Sequence, residues 1–127
     1  MNLYFAFAAI LALLVGLAHS LLGERMIFRH LRRGSLVPTE GGTLLSERQV
    51  RILWASWHVL TVFGWGMAAI LVWLSFHSSA SGSTAPLEQA IAVSMLIGSL
   101  LVFVGTRAKH PGWVGLLGVA ALVWFGR

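Results

Sequence analysis

Four apolar runs take up most of this chain, and each has to be kept out of water. A helix needs about 20 mostly apolar residues to cross the hydrocarbon core of a bilayer. Residues 3–22, 51–76 and 86–106 reach that length. Residues 111–125 form a shorter fourth run, which suits local thinning of the bilayer or packing against longer neighbours. Charged residues make up 10% of the 127, too few to cover a soluble surface. The expected fold class is therefore all-α. We read a polytopic membrane protein, a four-helix transmembrane bundle in a single membrane domain over residues 1–127. The first run is read as a span rather than a cleaved signal, because no basic region precedes Leu3.

The connections are legible in turn chemistry. Residues 78–85 read as a Ser/Gly-rich turn, with Pro86 suited to open a helix. Residues 106–110 read as a tight polar turn before Pro111. The long connection, residues 23–49, mixes Met26, Ile27, Phe28 and Leu31 with Arg25, Arg29, Arg32 and Arg33. That mixture predicts a short amphipathic interfacial helix in the headgroup plane between helices 1 and 2, broken by Gly34, Pro38, Gly41 and Gly42. Ser46 followed by Gln49 is a capping-box spacing, so the second helix is expected to start near Glu47.

The basic residues orient the chain. Eight of the nine lie in the first and third connections or, for Arg51, at the edge of the first, and the ninth is Arg127. The positive-inside rule then puts residues 23–50 and 107–110 in the cytoplasm and both termini in the periplasm. The same placement accounts for the net charge of +5 without nucleic acid. It brings the arginines at 25, 29, 32 and 33 within reach of anionic lipid headgroups. Tyr4, Trp73 and Trp124 fall at outer helix ends, and Trp54, Trp57 and Trp113 at inner ends, as two interfacial belts. Trp65 stands between Gly64 and Gly66 and is expected to fill space against a close neighbour.

Polar residues inside such spans mark candidate sites. The absence of cysteine excludes disulfides, thiol chemistry and iron–sulfur clusters. Four glutamates spread along the chain exclude a carboxylate-bridged di-iron centre. By depth, His19, Glu24, His58, Arg107 and His110 converge on the cytoplasmic leaflet, while His30 and His77 fall elsewhere. Ala8, Ala12, Gly16 and Ser20 form a small-residue stripe with His19 at its edge, and Trp54, His58, Thr61 and Trp65 share a face of the second helix. Imidazoles with one carboxylate suit a transition metal, and two imidazoles from different helices suit haem b. In that reading His19 and His58 bind the cofactor, with His110 and Glu24 as further metal ligands. Arg107, Arg51, Trp54 and Thr61 surround them or balance charge. Each residue also has a plainer role. His19 can bond a backbone carbonyl or Thr61, His58 can pack on Trp54, and His110 can cap a helix. Glu24 can pair with Arg25 or Arg107, and Arg51 can reach lipid phosphate.

Three stretches carry a resemblance: His19-Ser20-Leu21-Leu22-Gly23-Glu24-Arg25, the Trp57-His58 pair, and Thr106-Arg107-Ala108-Lys109-His110-Pro111-Gly112-Trp113. Together they resemble a group of small four-span bacterial inner-membrane proteins. The resemblance implies a bacterial setting and brings no activity, cofactor or substrate with it. Small multidrug exporters rely on a glutamate deep in the first helix, which residues 3–22 lack. Fluoride channels carry a glycine-rich helix break that is missing here, and mercury transporters and quinone-linked thiol oxidases need cysteines.

Three functional readings follow. The leading one is a His-rich site in the cytoplasmic leaflet that binds a transition metal or haem and is redox-linked. The second is a non-enzymatic accessory or assembly subunit of a larger membrane complex or homo-oligomer, with the polar cluster as glue. The third is a small transporter or channel.

Overall fold

The computed structural model describes residues 1–77 and 84–127. The predicted Ser/Gly-rich turn thus lies, at residues 78–83, outside the described residues. The fold is all-α. Helix α1 runs Leu3–Met26, α2 Glu47–His77, α3 Ala85–Gly105 and α4 Gly112–Gly126. The first three are long and apolar enough to cross a membrane. At 1.5 Å per residue they measure about 36, 46 and 31 Å, against a hydrocarbon core of about 30 Å. Helix α4, with 15 residues, falls short of that length. Only 28% of the most apolar window of α1, 28% of that of α2 and 22% of that of α3 is buried. Their outward faces are therefore apolar, the pattern of helices whose solvent is lipid.

The amphipathic helix expected over residues 24–33 does not form as a separate element. Helix α1 continues to Met26 and is followed by a 3₁₀ turn, Phe28–Leu31. Gly23 does not stop α1, since a lone glycine inside a helix costs only about 1 kcal/mol. Helix α2 begins at Glu47 with the capping geometry its sequence implies. The Ser46 N–H donates to Gln49 Oε1 at 2.8 Å, and the Gln49 N–H reaches back to Ser46 Oγ at 3.4 Å.

The chain forms two compact units, Met1–Val15 with Gly64–Arg127, and Gly16–Phe63. The first holds an apolar core in which Phe5, Ala8, Ala9 and Ala12 of α1 meet Leu71 and Leu74 of α2, Ile91 and Ala92 of α3, and Val119 and Val123 of α4. The small residues of α1 and the glycines of α4 allow a close approach. A Cβ at Gly115 would strike Val15, and one at Gly118 would strike Leu11. Ser99 of α3 donates to the Trp113 carbonyl of α4 at 2.8 Å. Trp65, expected to fill space, is 42% exposed, and its indole N–H reaches the Leu13 carbonyl at 3.4 Å.

The second unit contains the end of α1, the start of α2 and their connection. Phe28, Pro38 and Val50 are its buried apolar residues. The backbone N–H groups of Thr39 and Glu40 both donate to the Leu31 carbonyl at 2.9 Å, tying the loop to the 3₁₀ turn.

Candidate functional site

The polar residues of interest gather in the second unit, between the last turns of α1 and the first turns of α2. The contact starts at Gly23. A Cβ there would fall on the indole of Trp57, so the absent side chain is what lets the ring lie against the backbone of α1. Trp57 Nε1 donates to the His19 carbonyl at 3.0 Å. Its ring stacks on the His19 imidazole, with centroids 4.3 Å apart and planes within 6°. Phe28 meets Trp57 edge-on at 5.7 Å, and Trp54 meets His58 edge-on at 4.9 Å. Offset and edge-on aromatic pairs of this kind contribute about 0.5–1.5 kcal/mol each beyond burial.

A line of polar side chains runs beside these rings. Ser20 Oγ lies 2.8 Å from Thr61 Oγ1 and 2.9 Å from His58 Nδ1. His58 Nε2 faces Glu24 Oε2 at 3.6 Å, an electrostatic rather than a hydrogen-bonding distance. Glu24 Oε1 pairs with Arg32 at 2.6 Å, and Trp54 Nε1 donates to Glu24 Oε2 at 3.3 Å. Ser20 has one proton and sits between two acceptors. Where His58 Nδ1 accepts from Ser20, Ser20 in turn accepts from Thr61. Thr61 is buried, which makes its bond to Ser20 costly to lose. The Arg32 and Glu24 side chains are 23% and 29% exposed, so their pair is partly screened and contributes on the order of 1 kcal/mol.

This geometry corrects the leading sequence reading. Among the described residues, no group of three or more His, Cys, Asp or Glu side chains is placed to hold a metal ion. The metal-binding, haem and histidine-cluster expectations for His19, His58, His110 and Glu24 are overturned by that finding. The physical reason is that several of these ligand atoms are committed elsewhere. The His19 ring lies flat on Trp57. His58 Nδ1 is occupied by Ser20, and Glu24 is held by Arg32 and Trp54. For haem, the helices approach too closely at Gly23 to leave a slot for a macrocycle.

The outlying residues have local roles. His110 Nδ1 accepts the Gly112 N–H at 3.0 Å, so this imidazole caps the start of α4 as an acceptor rather than a donor. Arg107 lies in the turn after α3 with φ 52°. Arg51 pairs with Glu47 one turn earlier in α2 at 2.8 Å. Glu24 takes Arg32 as its partner rather than Arg25 or Arg107. Thr61 and Trp54 do join the cluster, through Ser20 and Glu24 respectively.

Ser20, Trp57, Phe28 and Arg32 are the members that sequence reasoning missed. By sequence Ser20 reads as a small residue and Trp57 as an interfacial anchor. The signal that could have exposed them is Gly23, a glycine four residues after His19 with no turn to serve. Ser20, His58 and Glu24 do stand in hydroxyl–imidazole–carboxylate order. However, Ser20 lies inside α1, where neighbouring backbone N–H groups are spent on the helix and offer no oxyanion donors. No family model, curated protein or solved structure matches the chain.

Proposed function

We propose that this chain is a non-enzymatic accessory or assembly subunit of a larger membrane complex, in which the cluster between α1 and α2 clamps the register of two membrane-crossing helices. The observation that carries this reading is the interlocking of the cluster, whose bonds run from one helix to the other. Ser20 serves both His58 and Thr61, Glu24 serves both Arg32 and Trp54, and Trp57 serves the His19 carbonyl. Polar side chains that bond across two helices among apolar groups specify one pairing of those helices. Two surface grooves, one along residues 46–55 and one between α3 and α4, are lined by residues outside the cluster.

In this reading all four helices cross a bacterial inner membrane, with the Arg-rich connection cytoplasmic and both termini periplasmic, as the distribution of basic residues supports. Native electrophoresis of gently solubilised membranes tests the reading. The wild-type chain is expected in a complex larger than itself, and Gly23→Ala, which forces Trp57 off α1, is expected to deplete that complex. Migration of the wild type as a lone chain would overturn the proposal.

A further inference from the structure

The connection between α1 and α2 carries charge and apolar surface that the cluster does not use. Six arginines stand in it and in the helix ends that flank it, against three glutamates: Arg25, Arg29, Arg32, Arg33, Arg48 and Arg51 against Glu24, Glu40 and Glu47. Each glutamate has an arginine, since Glu24 holds Arg32, Glu40 lies 3.5 Å from Arg33, and Glu47 holds Arg51. Among the described residues no ion pair joins Arg25, Arg29 or Arg48 to a carboxylate, and all three are exposed. The loop itself is tied down by the bonds to the Leu31 carbonyl and by buried Pro38. Yet it displays Leu36 at 78% exposure and Leu44 at 90%.

Both leucines are presented by the same local device. Each follows by two residues a glycine in the left-handed region, Gly34 at φ 71° and Gly42 at φ 65°. Neither glycine has an atom within 4 Å of where a Cβ would stand. Leu44 lies inside a turn closed by the bridge between Gly41 and Leu45. A leucine almost fully exposed on an anchored turn gains nothing from water, and it gains from any apolar phase within reach. The phase always within reach of a loop joining two membrane-crossing helices is the bilayer those helices enter.

We infer that this connection is a membrane-surface docking element, in which Leu36 and Leu44 insert at the headgroup–acyl boundary and Arg25, Arg29 and Arg48 bind anionic phospholipid headgroups. Lipid is favoured by charge complementarity, because the unpaired cations face no carboxylate of their own. A basic residue near an anionic surface adds roughly a fivefold preference for it. The inference rests on α1 and α2 crossing the bilayer and is independent of what the cluster does.

The chain lacks cysteine, so Leu36→Cys and Leu44→Cys can each carry a single environment-sensitive fluorophore. Each labelled protein is reconstituted in phosphatidylcholine vesicles with or without phosphatidylglycerol. The expected result is blue-shifted emission, quenching by a nitroxide placed shallow on the acyl chain, and several-fold protection from aqueous iodide. All three effects should strengthen with phosphatidylglycerol. Arg25→Gln/Arg29→Gln/Arg48→Gln in the same background should abolish that dependence on anionic lipid. Water-like emission with full iodide quenching in both vesicle types would overturn the inference and mark the tips as a docking site for a soluble partner. Insertion indifferent to phosphatidylglycerol would overturn the assignment of the arginines. Release of the protein from vesicles by an alkaline carbonate wash would instead show that the helices do not cross the bilayer.

Discussion

Gly23 holds more of the cluster together than any of its ionisable residues. By lacking a side chain it admits the Trp57 indole to the backbone of α1, and the stack on His19 and the bond to the His19 carbonyl follow from that approach. Gly23→Ala should therefore remove both contacts and destabilise the fold by about 2 kcal/mol. Thermal unfolding in detergent, followed by tryptophan emission, would measure it. Unchanged stability would mean that the ring is accommodated elsewhere. Arg107 is the opposite case, a side chain where none is wanted. The N–H groups of Arg107 and Ala108 donate to the Val104 and Phe103 carbonyls at 3.1 and 2.7 Å, the two bonds that close a helix in a Schellman turn. That turn places Arg107 in the left-handed region, where glycine is at ease and other residues lose about 1 kcal/mol. Arg107→Gly is expected to stabilise the protein by about that amount in the same assay. The strain was not visible in the sequence, because Thr106 to His110 reads only as a short polar turn.

Between α1 and α2, stability comes from side chains that act as a set. Ser20 joins Thr61 and His58, so Ser20→Ala leaves buried Thr61 without its bond and should cost about 1–3 kcal/mol. Thr61→Ala in the Ser20→Ala background should then cost little further. A double-mutant cycle on thermal or chemical unfolding is expected to give a coupling of at least about 0.5 kcal/mol. Strict additivity would show that the two hydroxyls act separately. Helical periodicity did place Trp54, His58 and Thr61 on one face of α2. It could not name Ser20 as their partner, because a serine in a stripe of small residues reads as spacing. The same limit applies to the connection after α1. Alternating apolar and basic residues suggested a separate interfacial helix, whereas α1 continues to Met26 and tightens into a 3₁₀ turn. Composition reports affinity for an interface and does not report where a helix ends.

For the chain as a unit of membrane topology, the deciding element is α4. Its 15 residues cover about 22 Å, less than a hydrocarbon core of about 30 Å. If α4 crosses, the C-terminus returns to the side of the N-terminus, as the clustering of basic residues in two connections implies. A reporter fused after Arg127 should then read as periplasmic. A cytoplasmic signal would mean that α4 lies along the membrane or turns back, on the same side as the connection at residues 106–110.

Apolar run length, charge distribution and turn residues were enough for an all-α chain with four helices, three of them long enough to span, and for the start of α2 at its capping box. Those features depend on local chemistry and on the solvent, and both are written along the chain. The fate of the histidines was not. His58 and Glu24 do face each other, but His58 Nδ1 meets Ser20, Glu24 is held by Arg32 and Trp54, and the His19 ring lies on Trp57, with no group of three placed to hold an ion among the described residues. Which neighbour occupies a polar atom depends on how two helices are rotated against each other. Here that rotation is set by the close approach at Gly23, a pairwise packing fact that no single stretch of sequence contains.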